Sequence, residues 1–299
     1  MQKVLTTEGL TKQYGSIRAL DNLNISVCKG DVYGLLGPNG SGKTTTMGIL
    51  LGITNAKSGT YSWFESGHGH QMRRRIGATL DKPNFYPHLS GIENLALVAD
   101  IKDIKIPNIR AKLEMADAAK FARRKFHTYS TGMKQRLAIA ATLLGDPEVL
   151  VLDEPTNGLD PEGIADVREL ILKIAQEGIT VIMSSHLLDE VQKVCTHVAV
   201  LRSGQKLYEG QVHSLLAGND GIDIAADDMA QLRRVLGSFA GLEALEDKHG
   251  VLKVRLKDGF KASELSSFLI TNGIDITHFA HHKASLEQEF LNLLSQNRA

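Results

Sequence analysis

Eight consecutive residues, Gly37-Pro38-Asn39-Gly40-Ser41-Gly42-Lys43-Thr44, restrict this chain more than any other segment. They match G-x-x-x-x-G-K-[ST] and stand between an apolar run, Val32 to Leu36, that predicts a strand and a stretch able to turn helical after Gly42. Glycine lets the backbone approach a ligand and take positive φ, so successive N–H groups can point at phosphate oxygens. A helix starting here adds the positive end of its dipole. Lys43 then reaches the β and γ phosphates of a nucleotide as a point charge, the Thr44 hydroxyl offers an oxygen to Mg2+, and Thr45 joins the nucleotide contacts. Far downstream, the apolar run Val149-Leu150-Val151-Leu152 delivers Asp153 and Glu154. Together these features predict a chain that binds a nucleoside triphosphate and cleaves it. Without its flanks the loop would be an ordinary Gly-rich turn.

At 299 residues the chain exceeds the usual single-domain size, which predicts two domains. Lys plus Arg and Asp plus Glu both number 34, and a formal net charge of zero argues against a nucleic-acid binder that relies on a broad cationic surface. Cys28 and Cys195 have neither metal nor redox spacing, which fits a reducing compartment. Glu8 interrupts the amino terminus before an apolar signal segment could form, and runs such as Leu137 to Leu144 are far too short for a membrane span. Any membrane role is therefore expected to come through a partner.

Alternating patterns predict strands at Lys3 to Gly9, Leu20 to Val27, Val32 to Leu36, Gly59 to Phe64 and Ile76 to Leu80, then a Pro-containing loop from Lys82 to Ser90. Helical patterning dominates from Gly91 to about Phe121, with Ala99 to Asn108 ambiguous. Strand Val149 to Leu152, helix Pro161 to Glu177, strand Thr180 to Ser184, helix Leu187 to Val194 and strand His197 to Leu201 follow. This alternation implies an α/β fold with a mainly parallel, doubly covered sheet and a phosphate site at the carboxyl ends of its strands. The pattern changes around Gly218 to Asp220. Beyond it come strand Gly221 to Ala225, helix Asp227 to Phe239, a hairpin from Leu242 to Lys257 turning at Asp247-Lys248-His249-Gly250, helix Ala262 to Asn272 and strand Ile274 to Phe279. A last helix is expected near Ser285, where Ser285-Leu286-Glu287-Gln288 resembles a capping box. The β-α-β-β-α-β order predicts a small α+β ferredoxin-like domain over 218–299, beside a first domain over 1–217.

Between phosphate loop and acidic pair there is room for a helical subdomain, about 91–145. It ends in Tyr129-Ser130-Thr131-Gly132-Met133-Lys134-Gln135-Arg136, which opens an amphipathic helix. After the acidic pair come Gly158-Leu159-Asp160 and, past another strand, Ser185-His186. In this order and approximate spacing, residues 1 to about 215 resemble the ATP-binding subunit of an ABC transporter, a P-loop NTPase with a mixed β-sheet. Phe85-Tyr86-Pro87-His88-Leu89-Ser90-Gly91-Ile92-Glu93-Asn94-Leu95 and the Tyr-Ser-x-Gly-Met-Lys-Gln-Arg signature are similar to the bacitracin and lantibiotic exporter branch.

The resemblance implies a dimer in which each ATP lies between the phosphate loop of one cassette and the signature of the other, homodimeric in the simplest case. Ser130 and the Gly132 N–H would grip the γ-phosphate across the interface, and Asp160 would cross it to align the opposite site. Taken alone, Ser130 is an ordinary helix N-cap, and Asp160 a cap for the helix from Pro161. The family's third and fifth signature positions are replaced here by Thr131 and Met133. Asp153 would enter the Mg2+ shell, Glu154 would act on the attacking water and His186 would contact the γ-phosphate. Each has a plain alternative, a solvated strand end for the acids and a structural His. Tyr14, in Lys12-Gln13-Tyr14-Gly15, would lie against adenine, or else be a sheet-edge core residue. Where the family usually has a Gln at the metal, this chain has Asp81, which keeps an oxygen ligand with shorter reach and an added charge, or is merely a turn residue before Lys82-Pro83.

Other residues carry less. Gly67-His68-Gly69-His70 and His281-His282 offer two imidazoles each and read as flexible turns rather than metal sites. Arg73-Arg74-Arg75 and Arg123-Arg124-Lys125 read as solvated runs. The expected role is a peripheral ATPase on the cytoplasmic face of the membrane, powering a separate permease that docks on Asp81 to Ser90, with exposed Phe85 and Tyr86. The exported cargo is expected to be an antimicrobial peptide, drug or lipid-like molecule. The alternatives are a non-transport ABC ATPase acting on ribosomes or DNA, disfavoured by one cassette and no heptad array, and a non-hydrolysing binding module, disfavoured by Lys43, Asp153, Glu154 and His186.

Overall fold

The computed structural model describes all residues except 1, 68, 81–83, 106–107, 217–220, 249, 258, 283–285, 287–289 and 291–299. Asp81, His68, the interval Gly218 to Asp220 and the Ser285, Glu287 and Gln288 of the expected last helix lie outside the described residues. Contacts divide the chain into two compact units, the described residues up to Val212 and those from His213 onward.

In the first unit, β1 (Lys3–Tyr14), β2 (Ile17–Leu23), β3 (Ser26–Cys28), β4 (Val32–Leu36), helix α1 (Lys43–Leu50), β5 (Ser58–Trp63), the short α2 (His70–Arg73) and β6 (Ile76–Thr79) come first. Helices α3 (Gly91–Ile101), α4 (Ile109–Met115) and α5 (Thr131–Thr142) lie between β6 and β7 (Val149–Leu152). Then come α6 (Pro161–Gln176), β8 (Thr180–Ser185), α7 (Leu188–Val194), β9 (His197–Arg202) and β10 (Gln205–Gln211), and α8 (Val212–Leu216) begins at the last residue of this unit. Six strands form one sheet in the order β10-β9-β4-β8-β7-β6. All neighbours in it are parallel except β10 and β9. An antiparallel sheet is built on β1, which pairs with β2, β3 and β5.

Strands β4, β7 and β8 at the middle of the central sheet are buried on both faces, which is why β4 and β7 read as continuous apolar runs rather than alternating ones. Helix α6 buries Val167, Leu170, Ile171 and Ile174, the spacing of a single helical face, while Asp160 caps it and Pro161 occupies its first turn. Where the antiparallel sheet meets the central one, Trp63, Met47, Leu35, Val151 and Ile182 share a core. The Trp63 indole N–H donates to Leu50 O at 2.9 Å, so its burial leaves no polar group unmatched.

The structure corrects several expectations. Leu20 to Val27 is two strands, because the chain bends at Asn24-Ile25, where Thr7 accepts from Ile25 N–H and donates to Leu23 O. Helix α3 ends at Ile101 and α4 starts at Ile109, within and just past the Ala99 to Asn108 interval that the pattern leaves ambiguous, and α4 stops at Met115, short of Phe121. Strand β10 has no counterpart among the strands expected from the sequence, since its residues are half-buried without the alternation that marks a strand. Phe85 is not exposed but packs edge-on against Phe126, with ring centroids 5.3 Å apart. His281 and His282 lie in a strand, not a turn.

The second unit contains β11 (Gly221–Ala226), α9 (Met229–Gly237), β12 (Leu242–Lys248), β13 (Val251–Leu256), α10 (Ala262–Thr271) and β14 (Ile276–His282). Its sheet runs β12-β13-β11-β14, with antiparallel neighbours throughout. Ile222, Ile224, Leu252 and Val254 face Leu232, Leu236, Leu265 and Leu269 of the two helices in its own core.

Candidate functional site

Three adjacent parallel strands end at one place. The loop after β4 carries Lys43, the end of β8 carries His186, and the end of β7 carries Asp153 and Glu154. The loop is shaped by glycine at a position no other residue fits: Gly42, the N-cap of α1, has φ +109°, and a Cβ there would lie 2.7 Å from Ala19 O. Helix α1 thus starts with its free N–H groups at the loop. Lys43 is only 6% exposed and donates to Gly37 O at 2.8 Å. Ser41 Oγ is buried without a hydrogen-bond partner among the described residues, an arrangement suited to an incoming phosphate oxygen.

Glu154 links the other two. Its Oε1 lies 3.4 Å from Lys43 Nζ and its Oε2 is 2.8 Å from His186 Nδ1. The side chain is 20% exposed and its backbone is left-handed, φ +47°, an unfavourable conformation for a residue with a β-carbon. Asp153 N–H donates to Thr79 O at 3.0 Å, continuing the ladder to β6. Thr44, Asp153 and Glu154 then line one cavity of about 830 Å³, shared with Phe126, Lys134 and Gln135. Thr44 is exposed and Thr45 half-buried. Three oxygen-bearing groups around one space form a donor set suited to a hard divalent cation.

Ser130, Gly132 and Asp160 are not drawn into that cluster. They line a second cavity of about 700 Å³ with Gly158 and Leu159, which adjoins the first at Thr131 and Gly158. Ser130 is exposed and caps α5, its Oγ accepting Met133 N–H at 3.3 Å, and a Cβ at Gly132 would meet nothing within 4 Å. Asp160 Oδ1 accepts Gly163 N–H at 2.9 Å. An ion pair between Arg136 of α5 and Asp166 of α6 braces the two rims of this cavity. Tyr14 is at the end of β1, 49% exposed, with Lys12 Nζ 4.9 Å from its ring centroid, and it lines neither cavity.

The loop before α3 is held by Asn94, which is buried and accepts from Tyr86 N–H at 2.8 Å while donating to Ser90 O at 3.0 Å. Tyr86 itself is 54% exposed. Ser90 and Glu93 form a reciprocal capping box, and the bonds from Ser90 hold the Glu93 carboxyl down at about 2. Sequence reasoning missed one residue at the acidic pair: Ser184 on β8, whose hydroxyl touches both Asp153 and Glu154. The sequence gives it no signal of its own, because β8 also carries hydroxyls at Thr180 and Ser185. Among the described residues no helix is long and apolar enough to cross a membrane, and no cluster of three or more His, Cys, Asp or Glu could by itself hold a metal ion.

A sequence-family model described as ABC transporter matches residues 20–157. The bacitracin transport ATP-binding protein BcrA of Bacillus licheniformis is 36% identical over 301 residues, covering 98% of each chain. The lantibiotic transport ATP-binding protein SrtF of Streptococcus pyogenes is 37% identical, covering 69% of this chain and 90% of its own. A solved ATP-binding cassette, dimeric and bound to ADP and Pi after hydrolysis, matches with a TM-score of 0.61 at 25% identity, covering 70% of this chain and 98% of that one.

Proposed function

The chain belongs to the ABC transporter family and is an ATPase, and from that premise we propose that it drives a separate membrane permease in export. The observation that carries the reading is the convergence of Lys43, Glu154 and His186 at the ends of three neighbouring strands. In it Lys43 and backbone N–H groups of the loop from Asn39 to Thr44 bind the β and γ phosphates of ATP. Glu154 orients the attacking water and draws its proton, and His186 holds Glu154 and reaches the γ-phosphate. Thr44 and Asp153 would hold Mg2+, which when bound neutralises charge between the β and γ oxygens. Tyr14 would lie on the adenine, and Asp81 would couple the metal to the permease.

Ser130, Gly132 and Asp160 stand apart from this cluster, so they serve a nucleotide on a second copy of the chain. Support comes from the helix start at Ser130, which offers free N–H groups to an anion, and from the dimeric state of the matched cassette. ATP binding would close the dimer and hydrolysis reopen it, a change that can move a permease docked on the loop before α3. The relatives named for bacitracin and lantibiotic transport support a peptide antibiotic as cargo within a proposed range that extends to drugs and lipid-like molecules, and we propose a place for the chain on the cytoplasmic face of the membrane, held there by the permease. We divide the chain near residues 217 and 218, and read the second unit, by its element order and strand order, as a ferredoxin-like domain that regulates or steadies the dimer. Affinity capture of the tagged full chain from detergent-solubilised membranes tests the proposal. A copurifying polytopic membrane protein that raises ATP turnover supports it, and ribosomes or DNA in its place would contradict it.

A further inference from the structure

One hydroxyl joins the two carboxylate-bearing residues at the end of β7. Ser184 is wholly buried on β8, one position beyond Met183, which pairs in parallel register with Leu152. Its proton goes to Asp153 Oδ1 at 2.5 Å, and its oxygen accepts Glu154 N–H at 2.8 Å. The second bond is made where the chain leaves the sheet. Asp153 N–H still reaches a backbone carbonyl of β6, but Glu154 has turned into the left-handed region, and its N–H is met by a side chain instead. Such a conformation persists only where its surroundings hold it.

We infer that Ser184 is a positioning residue for both carboxylates. It engages one oxygen of Asp153, leaving the other for a cation, and it holds Glu154 in the turn that carries its side chain to Lys43 and His186. The inference rests on the roles proposed above for Asp153 and Glu154. Without the hydroxyl, a partly buried N–H and a carboxylate oxygen both lose this partner, so the turn relaxes and the two acids lose their register with each other. The phosphate loop follows β4, whose Leu35 pairs with Ser184 through the backbone, and since among the described residues the Ser184 hydroxyl bonds only to Asp153 and Glu154 the loop keeps its shape when that hydroxyl is removed.

The test compares the parent chain with Ser184→Ala, Ser184→Cys and Ser184→Thr. The readouts are thermal unfolding, ATP affinity by direct titration with and without Mg2+, kcat, and the Mg2+ concentration for half activity. Loss of an outer group that orients a metal ligand typically costs about 10- to 100-fold, so Ser184→Ala is expected to lose that much in kcat and to need about 3- to 10-fold more Mg2+. Its metal-free ATP affinity should stay within about twofold of the parent. Ser184→Thr should recover both losses, with Ser184→Cys, a weak donor of similar size, falling between and serving in place of Ser184→Ala if that protein does not fold. Parent kcat and parent Mg2+ requirement in a folded Ser184→Ala or Ser184→Cys protein would overturn the inference, as would loss of metal-free ATP binding, which marks a merely structural role. Because the parent's own turnover reports separately on ATP hydrolysis, a null result beside an active parent removes Ser184 alone.

Discussion

Replacing Glu154 by Gln should move affinity and turnover in opposite directions. In the free chain the Glu154 carboxylate lies 3.4 Å from a Lys43 ammonium that is almost fully buried, so ATP must win that cation from Glu154 before the phosphates can use it. At an effective dielectric of about 20, two unit charges at this distance attract by about 5 kcal/mol, of which desolvation leaves a net of about 1–2 kcal/mol. Gln keeps the size and one oxygen but removes the charge. ATP affinity is therefore expected to rise about 5- to 30-fold. The same change removes the group that takes the water's proton, so turnover should fall about 10²- to 10⁴-fold. Equilibrium titration with ATP under Mg2+-free conditions gives the first quantity, and phosphate release at saturating Mg2+ and ATP gives the second. Near-parental turnover would remove Glu154 from the chemistry. Weakened ATP binding with turnover still lost would show that Glu154 supports the phosphate loop instead of competing for Lys43.

Trp63→Ala removes a fully buried indole and its bond to Leu50 O, and should lower stability by about 3–5 kcal/mol in urea unfolding, with a loss below 1 kcal/mol refuting its place in the core. Glu93 titrates near 2 when folded, below its ordinary value of 4.5, so the capping box contributes in full above about pH 5 and is lost as the pH falls through about 2. The urea midpoints of parent and Glu93→Gln should accordingly converge as the pH is lowered from about 5 toward 3, and a constant difference would contradict the pairing. A chain truncated after Leu216 should fold and bind ATP with parental affinity, because Lys43, Asp153, Glu154 and His186 all lie in the first unit. A soluble, folded truncation that no longer binds nucleotide would show the division of labour to be wrong.

The sequence exposes the parts of this molecule whose physics is local. Val32 to Leu36 and Val149 to Leu152 were found to the residue, because strands buried on both faces leave an uninterrupted apolar run. Asp160 as a helix cap was visible for the same reason, since the cap and Pro161 are adjacent. What the sequence hides is set by register between distant segments. Only the pairing of β4, β8 and β7 brings Glu154 between Lys43 and His186. Ser184 gains meaning only once β8 is laid beside β7. Phe85 looked exposed because the loop around it is polar, and the ring that covers it, Phe126, comes from the far side of two helices. Strand β10 hides for a different reason: at the sheet edge it needs no apolar face.

The measurement that bears most directly on a nucleotide site shared between two copies is complementation between two inactive proteins. Lys43→Ala removes the cation of the phosphate loop and Ser130→Arg fills the rim that would serve the opposite nucleotide. Each alone should have negligible ATP turnover. Mixed at equal concentration, half the dimers pair one of each and carry one intact composite site, so about a quarter of the parental turnover should return. Turnover that stays at zero in the mixture, where light scattering shows that mixed dimers form, would contradict the shared site, as would parental activity in Ser130→Arg alone.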